Sequence, residues 1–293
     1  MKKISASKAA KPLTKKKATT KSISVVTDRP KLIRHFLTHP DKHPKKFKAA
    51  KGSVYEIHGI GFKKYSDFNQ AGIKTIKQFV EAGIPTVSQV MKYGINGGTQ
   101  VYLRGLSVYQ NRVIKIQEPK RISNQPIYLD IETDLNQSTV WMIGIYITKT
   151  NEFIQLVANK PKEEKIILKD CLDILSEHQQ EHIISYSGSR FDERVLRRRF
   201  DDEGLTHHHL LFEDILIDIK KSFAFPLKSY SLGDLASFYG YNFKYPFMDG
   251  MQVAMLYEQH ANDLTKFRGY KKLCQYNEDD VKSMVGVVEN IYF

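Results

Sequence analysis

Residues 127–133, Ile-Tyr-Leu-Asp-Ile-Glu-Thr, wrap two carboxylates two positions apart in an apolar, β-branched run. The run reads as a buried strand, and side chains on a strand alternate between faces, so Asp130 and Glu132 project from the same side, one pleat apart. Two like charges on a half-buried surface repel, and each loses hydration. The arrangement therefore needs protons or cations to hold it. A strand end whose acids point to solvent would carry the same triplet, and the triplet alone leaves both readings open.

The text around it is that of an α/β fold. Strands are expected over 127–133, 139–148 and 152–158, joined by short polar turns as in an antiparallel meander. A helix pattern follows over 162–178, a further apolar strand over 182–187 and a helix over 190–202. That order predicts a mixed sheet with helices on its faces. Beyond the apolar segment 215–219 the chain reads as helical, most clearly over 230–239, 250–262 and 279–291.

Charge divides the chain. Lys and Arg outnumber Asp and Glu 15 to 2 over residues 1–50 and 10 to 4 over 51–120, but stand at 20 to 26 from residue 121 onward. A basic front end joined to an acidic body suggests a polyanion-binding part serving a cation-binding site. Residues 1–50 are rich in Lys, Ala, Ser and Thr and are expected to be a largely disordered basic tail, with a short amphipathic helix over 31–50. Its lysine clusters suit phosphate contact, and equally a solubilising or import segment. No apolar run approaches the length of a membrane span and no secretory h-region follows the N-terminal lysines, so the chain is expected to be soluble and intracellular, with nuclear or organellar import left open by the tail. Cys171 and Cys274 sit in helix-like apolar contexts and read as reduced core residues.

Residues 51–118 read as a small all-α module. Apolar positions spaced by three and four on both sides of Gly59-Ile60-Gly61 imply two short helices joined by a tight hairpin. Those glycines would let backbone amides and a helix N-terminus approach a phosphate, with Lys63 and Lys64 beside it. The pattern through Ala71-Gly72-Ile73 and Thr75-Ile76 resembles the helix-hairpin-helix motif of nucleic-acid enzymes, which implies Gly59, Gly61, Lys63 and Lys64 as backbone-binding residues. A helical hairpin that merely packs is the alternative. Helices over 86–93 and 98–116 would complete the module, and the polar, proline-bearing stretch 118–126 reads as a linker to the body at 127–293.

Two further acidic signals follow. Ser185-Tyr186-Ser187-Gly188-Ser189-Arg190-Phe191-Asp192 runs from a strand through a Gly turn into a helix, placing Asp192 in its first turn. Tyr276-Asn277-Glu278-Asp279-Asp280 is expected to open the last helix, with Tyr276 and Asp280 on one face. Each acid taken singly is also what a helix dipole favours at its N-terminus.

Taken together and in order, D-x-E on the first strand, Asp after a Gly turn and Y-x-x-x-D on the last helix resemble the three motifs of the DEDD exonuclease superfamily, in its tyrosine variant and with its ribonuclease H-like, DnaQ-type fold. Leu-Asp-Ile-Glu-Thr, Trp141-Met142-Ile143-Gly144-Ile145 and Phe191-Asp192 sharpen the match. Among subfamilies it is most similar to the YprB-type domain of RecB-family-like nucleases, in which a helix-hairpin-helix region precedes the nuclease. The resemblance implies that Asp130, Glu132, Asp192 and Asp280 hold two Mg²⁺ or Mn²⁺ ions about 4 Å apart. Tyr276 would orient or help deprotonate the attacking water, and the substrate would be the single-stranded 3′ end of DNA or RNA. A structure-specific endonuclease on the same fold and a catalytically silent nucleic-acid-binding protein are the alternatives. The match departs from many relatives at Ser187 and Ser189, which occupy a turn where an Asn is common.

Other features admit two readings. Asp218 is similar to a recurrent structural acid and is left outside the ligand set. Residues 222–232, with Lys220, Lys221 and Lys228, suit either a strand groove or a loop packing its phenylalanines before Ser231 caps a helix. Arg194, Arg197, Arg198 and Arg199 suit a phosphate-binding or a solvated helix face. His207-His208-His209 reads as an exposed loop, since consecutive residues chelate poorly.

Overall fold

A computed structural model describes residues 50–293. The expected tail over 1–50, with its helix over 31–50, falls outside the described residues apart from Ala50.

The N-terminal module contains three helices, α1 (Phe62–Gln70), α2 (Ile76–Met91) and α3 (Ile95–Gln110). Ahead of Gly59 the chain makes only a three-residue 3-10 turn, Val54–Glu56, so the expected first helix of the hairpin is reduced to one turn. Thr75 and Gln78 form a reciprocal capping box that starts α2. The helix expected over 86–93 is instead the second part of α2, set off by a kink: Gly83 takes a left-handed φ of 72°, and Pro85 lies just beyond it. At that place Pro85 opens a new helical segment, where a missing N–H costs nothing. Helix α3 ends at Gln110 because Asn111 is left-handed (φ 49°), six residues short of its expected end. Val54, Ile57, Ile60, Phe68, Phe79, Val87 and Met91 fill the core of this module.

The residues after α3 are tied to the body rather than left as a free linker. Strand β1 (Ile114–Lys115) pairs antiparallel with β7 (Phe223–Ala224), Ile116 N donates to Ser222 O (2.7 Å), and Lys120 N donates to Asp218 Oδ2 (3.0 Å).

The body is a mixed α/β fold. Its five-stranded sheet comprises β2 (Ile127–Thr133), β3 (Val140–Ile147), β4 (Glu152–Val157), β5 (His182–Ser185) and β6 (Leu211–Asp214), in spatial order β4-β3-β2-β5-β6. The meander β2-β3-β4 is antiparallel, whereas β5 and β6 run parallel to β2. Alternation along β2 sorts its side chains: Ile127, Leu129 and Ile131 pack under α4 (Glu164–Glu177) and α5 (Asp192–Asp202) with Ile167, Leu168, Val195 and Phe200. Tyr128 turns to the opposite face, against Val281, Met284 and Val288 of α9 (Tyr270–Tyr292). Asp130 and Glu132 share that second face by the period of two.

Three helices complete the described chain: α6 (Ile215–Ser222), α7 (Leu232–Phe238) and α8 (Gly250–His260). The segment Ile215 to Ile219 is the start of α6 and follows β6 directly. Helix α9 begins at Tyr270, nine residues before the expected 279, and spans 23 residues.

Candidate metal centre

Each acid reaches the centre by a different route. Strand β2 delivers Asp130 and Glu132 opposite Gly144 and Met142 of β3. A Cβ at Gly144 would lie 2.4 Å from Asn277 Oδ1 and 3.0 Å from Val281 Cγ2, so only glycine lets α9 descend onto the sheet there. That descent brings Asp280 to the carboxylates of β2, and oxygens of Asp130, Glu132 and Asp280 lie within 4.8 Å of one another.

Asp192 arrives from the other side. Strand β5 is short and pairs with β2 only at Ile127 and Tyr128, which leaves the upper edge of β2 without a strand neighbour on that side. Asp192 Oδ1 accepts from Ile131 N at 3.2 Å and so occupies the vacant ladder position. The turn that allows this is tight. A Cβ on Gly188 would fall 1.7 Å from Ser185 Oγ, and Ser187 is left-handed with φ 65°. Asp214 at the end of β6 holds the turn, accepting from Ser187 N (3.0 Å), Ser189 N (3.2 Å) and Ser189 Oγ (2.6 Å). The two serines therefore buttress the loop.

Asp192 stands beside the trio rather than within it, yet its charge is felt by Asp130 and Glu132. Burial, followed by repulsion from Asp192, Asp280 and Glu132, holds the Asp130 carboxyl well above the usual carboxylate range. Glu132 is likewise raised by burial and then by Asp280 and Asp192. Burial is also the main cause pushing Asp192 and Asp280 up to about 7 each. Such a set retains protons at neutral pH unless a cation replaces them. Hard oxygen donors this close together suit a divalent ion such as Mg²⁺ or Mn²⁺.

The long α9 changes how its acids are understood. Tyr276 to Asp280 lie well past the first turn, where the helix dipole no longer favours carboxylates. Successive residues on a helix diverge by about 100°, and the three acids serve three purposes. Glu278 pairs with Lys282. Asp279 accepts from Tyr241 Oη (3.2 Å) and Lys244 N (2.8 Å), pinning the loop before α8. Asp280 alone faces the centre, where it accepts a hydrogen bond from Tyr276. Burial and then Asp280, Glu132 and Asp130 raise the Tyr276 phenol far above its ordinary range and keep it neutral.

Two supporting residues were not picked out from sequence. Asn277 is fully buried; its Nδ2 donates to Asp130 Oδ2 (2.8 Å) and Asp130 O (3.3 Å), while its Oδ1 accepts from Gln155 Nε2 (2.9 Å). Its place beside Tyr276 was visible in the sequence, but its bond spans 147 positions. Asp214 ends β6, a four-residue strand that the sequence pattern does not mark and that runs straight into the apolar start of α6.

A family model of the RNase H superfamily matches residues 127–292, more than half of the chain. The chain belongs to the RNase H superfamily. The family B DNA polymerase from the hyperthermophilic archaeon Pyrobaculum calidifontis is similar to this RNase H superfamily chain at 16% identity and a TM-score of 0.46, over 59% of this chain and 25% of the polymerase. The chain thus spans about a quarter of the polymerase's length. No curated protein shows a significant sequence match.

The remaining sequence features separate cleanly. Gly59 is left-handed (φ 89°) and exposed at the hairpin apex, whereas Gly61 is extended and forms the N-cap of α1. Lys63 is exposed, and Lys64 Nζ donates to Met91 O (2.8 Å) and Val90 O (3.3 Å) at the end of α2. The arginines of α5 are neither a free phosphate face nor a merely solvated one. Arg199 makes a two-pronged pair with buried Glu164 (2.8 and 2.9 Å), Arg197 binds Glu193 and Leu210 O, and Arg194 and Arg198 reach Gln137. His207 is buried rather than exposed, with Nε2 2.9 Å from Asp201 Oδ1. Asp218 accepts from Tyr292 Oη (2.7 Å) and Ser222 Oγ (3.2 Å), far from the trio in role. Phe223, Phe225 and Tyr230 are buried and Ser231 caps α7, which is the packed-loop arrangement. Among the described residues no helix is long and apolar enough to cross a membrane.

Proposed function

We propose that this RNase H superfamily protein is a metal-dependent nuclease that removes nucleotides from the 3′ end of a DNA or RNA strand, in the manner of the tyrosine-type DEDD exonucleases. The observation that carries the reading is the convergence of Asp130, Glu132 and Asp280 within 4.8 Å, with Asp192 anchored one residue away on Ile131 N. A silent binding protein would have no reason to keep four mutually repelling, desolvated carboxylates together.

Asp130, Glu132, Asp192 and Asp280 would hold two Mg²⁺ or Mn²⁺ ions, which supply an activated water and charge stabilisation at the leaving oxygen. The chain's own contribution is geometric and electrostatic. Asn277 fixes one oxygen of Asp130 and Ile131 N fixes one of Asp192, so the remaining oxygens are presented to the cations in set directions. Tyr276, neutral and bonded to Asp280, fits a hydrogen-bond donor that orients the water better than a base that deprotonates it. The exposed hairpin at Gly59 and Gly61, with Lys63, would take the strand's phosphodiester backbone.

Incubation of a 5′-labelled single strand with Mg²⁺ or Mn²⁺ should yield a ladder of products shortened from the 3′ end. Circular or 3′-blocked strands should survive. Cutting of circles would instead favour a structure-specific endonuclease on the same fold, and no carboxylate-dependent cleavage of any substrate would leave a nucleic-acid-binding protein.

A further inference from the structure

The hairpin's exposed edge and its buried edge have different partners. Gly59, Gly61 and Lys63 face outward, while Ile57 and Ile60 are buried. On the inner side Lys228, from the loop before α7, donates its ammonium to Ile60 O (2.7 Å) and Ile57 O (3.4 Å) and sits 4.0 Å from the centre of the Tyr55 ring. His58, at the turn itself, stacks on Tyr230 with ring centroids 4.0 Å apart and an interplanar angle of 10°. Its Nδ1 lies 3.2 Å from Lys228 O, and since a carbonyl only accepts, the ring nitrogen donates. Burial and then Arg104 hold His58 near 4, so the ring is uncharged beside these two cations.

The same support reaches the metal centre. Tyr230 O accepts from Tyr186 Oη at 2.6 Å, and Tyr186 directly precedes the Ser187-Gly188 turn that carries Asp192. Tyr230 is thereby shared by the hairpin and by the turn that places a carboxylate. Two binding points on one rigid frame reinforce each other only for a ligand long enough to touch both, and the gain disappears when one point is free to move.

We propose that Lys228 is a positioning residue that clamps the hairpin's carbonyl edge to the RNase H body, so that hairpin and carboxylates act as one substrate path and favour strands long enough to span both. This rests on the reading of the hairpin as a backbone-binding element and of the carboxylates as the cleavage site.

The test compares the full-length protein with Lys228→Met and Lys228→Arg on single strands of increasing length. For the unaltered protein KM should fall with length to a plateau. Lys228→Met should raise KM on plateau-length strands about fivefold or more, toward the short-strand value, with kcat held within about twofold, and Lys228→Arg should restore most of the length dependence. An unchanged length profile, or a kcat loss equal at every length, would overturn the clamp. Hydrogen exchange on the same proteins reads the clamp without turnover. Amides over residues 57–61 should exchange faster in Lys228→Met while those of β2 and β3 do not, and equal protection would overturn the proposal even if the protein proved not to be a nuclease.

Discussion

Asp192 and Asp280 each retain a proton up to about pH 7, against an ordinary value of 3.8, because burial disfavours their charged forms. The sign of the consequence follows from linkage: the folded state binds more protons than the unfolded one between about pH 4 and 7, so these groups stabilise at low pH and that contribution is lost as pH rises through about 7. The melting temperature of the cation-free protein is therefore expected to fall between pH 5 and pH 8, and Mg²⁺ or Mn²⁺ to raise it more at pH 8 than at pH 5. A flat profile in differential scanning fluorimetry would contradict this. Asp280→Asn should remove repulsion and stabilise the cation-free protein by on the order of 1 kcal/mol at pH 8 while lowering cleavage at least about a hundredfold, as urea titration and the labelled-strand assay would read. Asn277 acts on the same group from behind. Asn277→Leu should weaken Mn²⁺ binding about tenfold in calorimetry, because Asp130 loses the donor that orients it.

At the scale of elements, the centre is an intersection of a strand and two helices, and two glycines set how close the approach is. Gly144→Ala places a methyl within 2.4 Å of Asn277 Oδ1 and must push α9 outward. A cost of about 1–3 kcal/mol in urea denaturation is expected, together with loss of Mn²⁺ affinity as Asp280 withdraws. Helix α5 presents the contrasting case. Its arginines resemble a phosphate-binding face in sequence, yet Arg199 meets Glu164, itself buried and accepting from Val140 N at 2.8 Å. Periodicity reveals that such residues share a helix, but the acid that meets them lies 35 positions away. Helix α9 shows the same limit at its start: the apolar spacing over 281–288 marked its body, whereas its first turns place Tyr270, Leu273, Cys274 and Tyr276 in a separate cluster with Trp141, Val253 and Tyr257, and that mixture gave no clear period.

For the molecule as a whole, basic charge is concentrated ahead of residue 120 and acidic charge after it. Nucleic-acid affinity, measured with Ca²⁺ in place of Mg²⁺, is expected to fall steeply with salt, and deletion of residues 1–49 to make the log–log slope shallower in fluorescence anisotropy; an unchanged slope would assign the tail another role. The sequence by itself determined the α/β class, the order of elements from β2 through α5, and the four acids as candidates, because burial periodicity and desolvated carboxylates leave local signatures; strand β6, four residues long and followed at once by the apolar start of α6, left none. Only the tertiary structure decided that β5 stops short so that Asp192 can take Ile131 N, that Gly144 admits Asn277, and that Lys228 reaches across 168 positions to the hairpin. Those are contacts between distant segments, fixed by how layers pack, and no stretch of neighbouring residues encodes them alone.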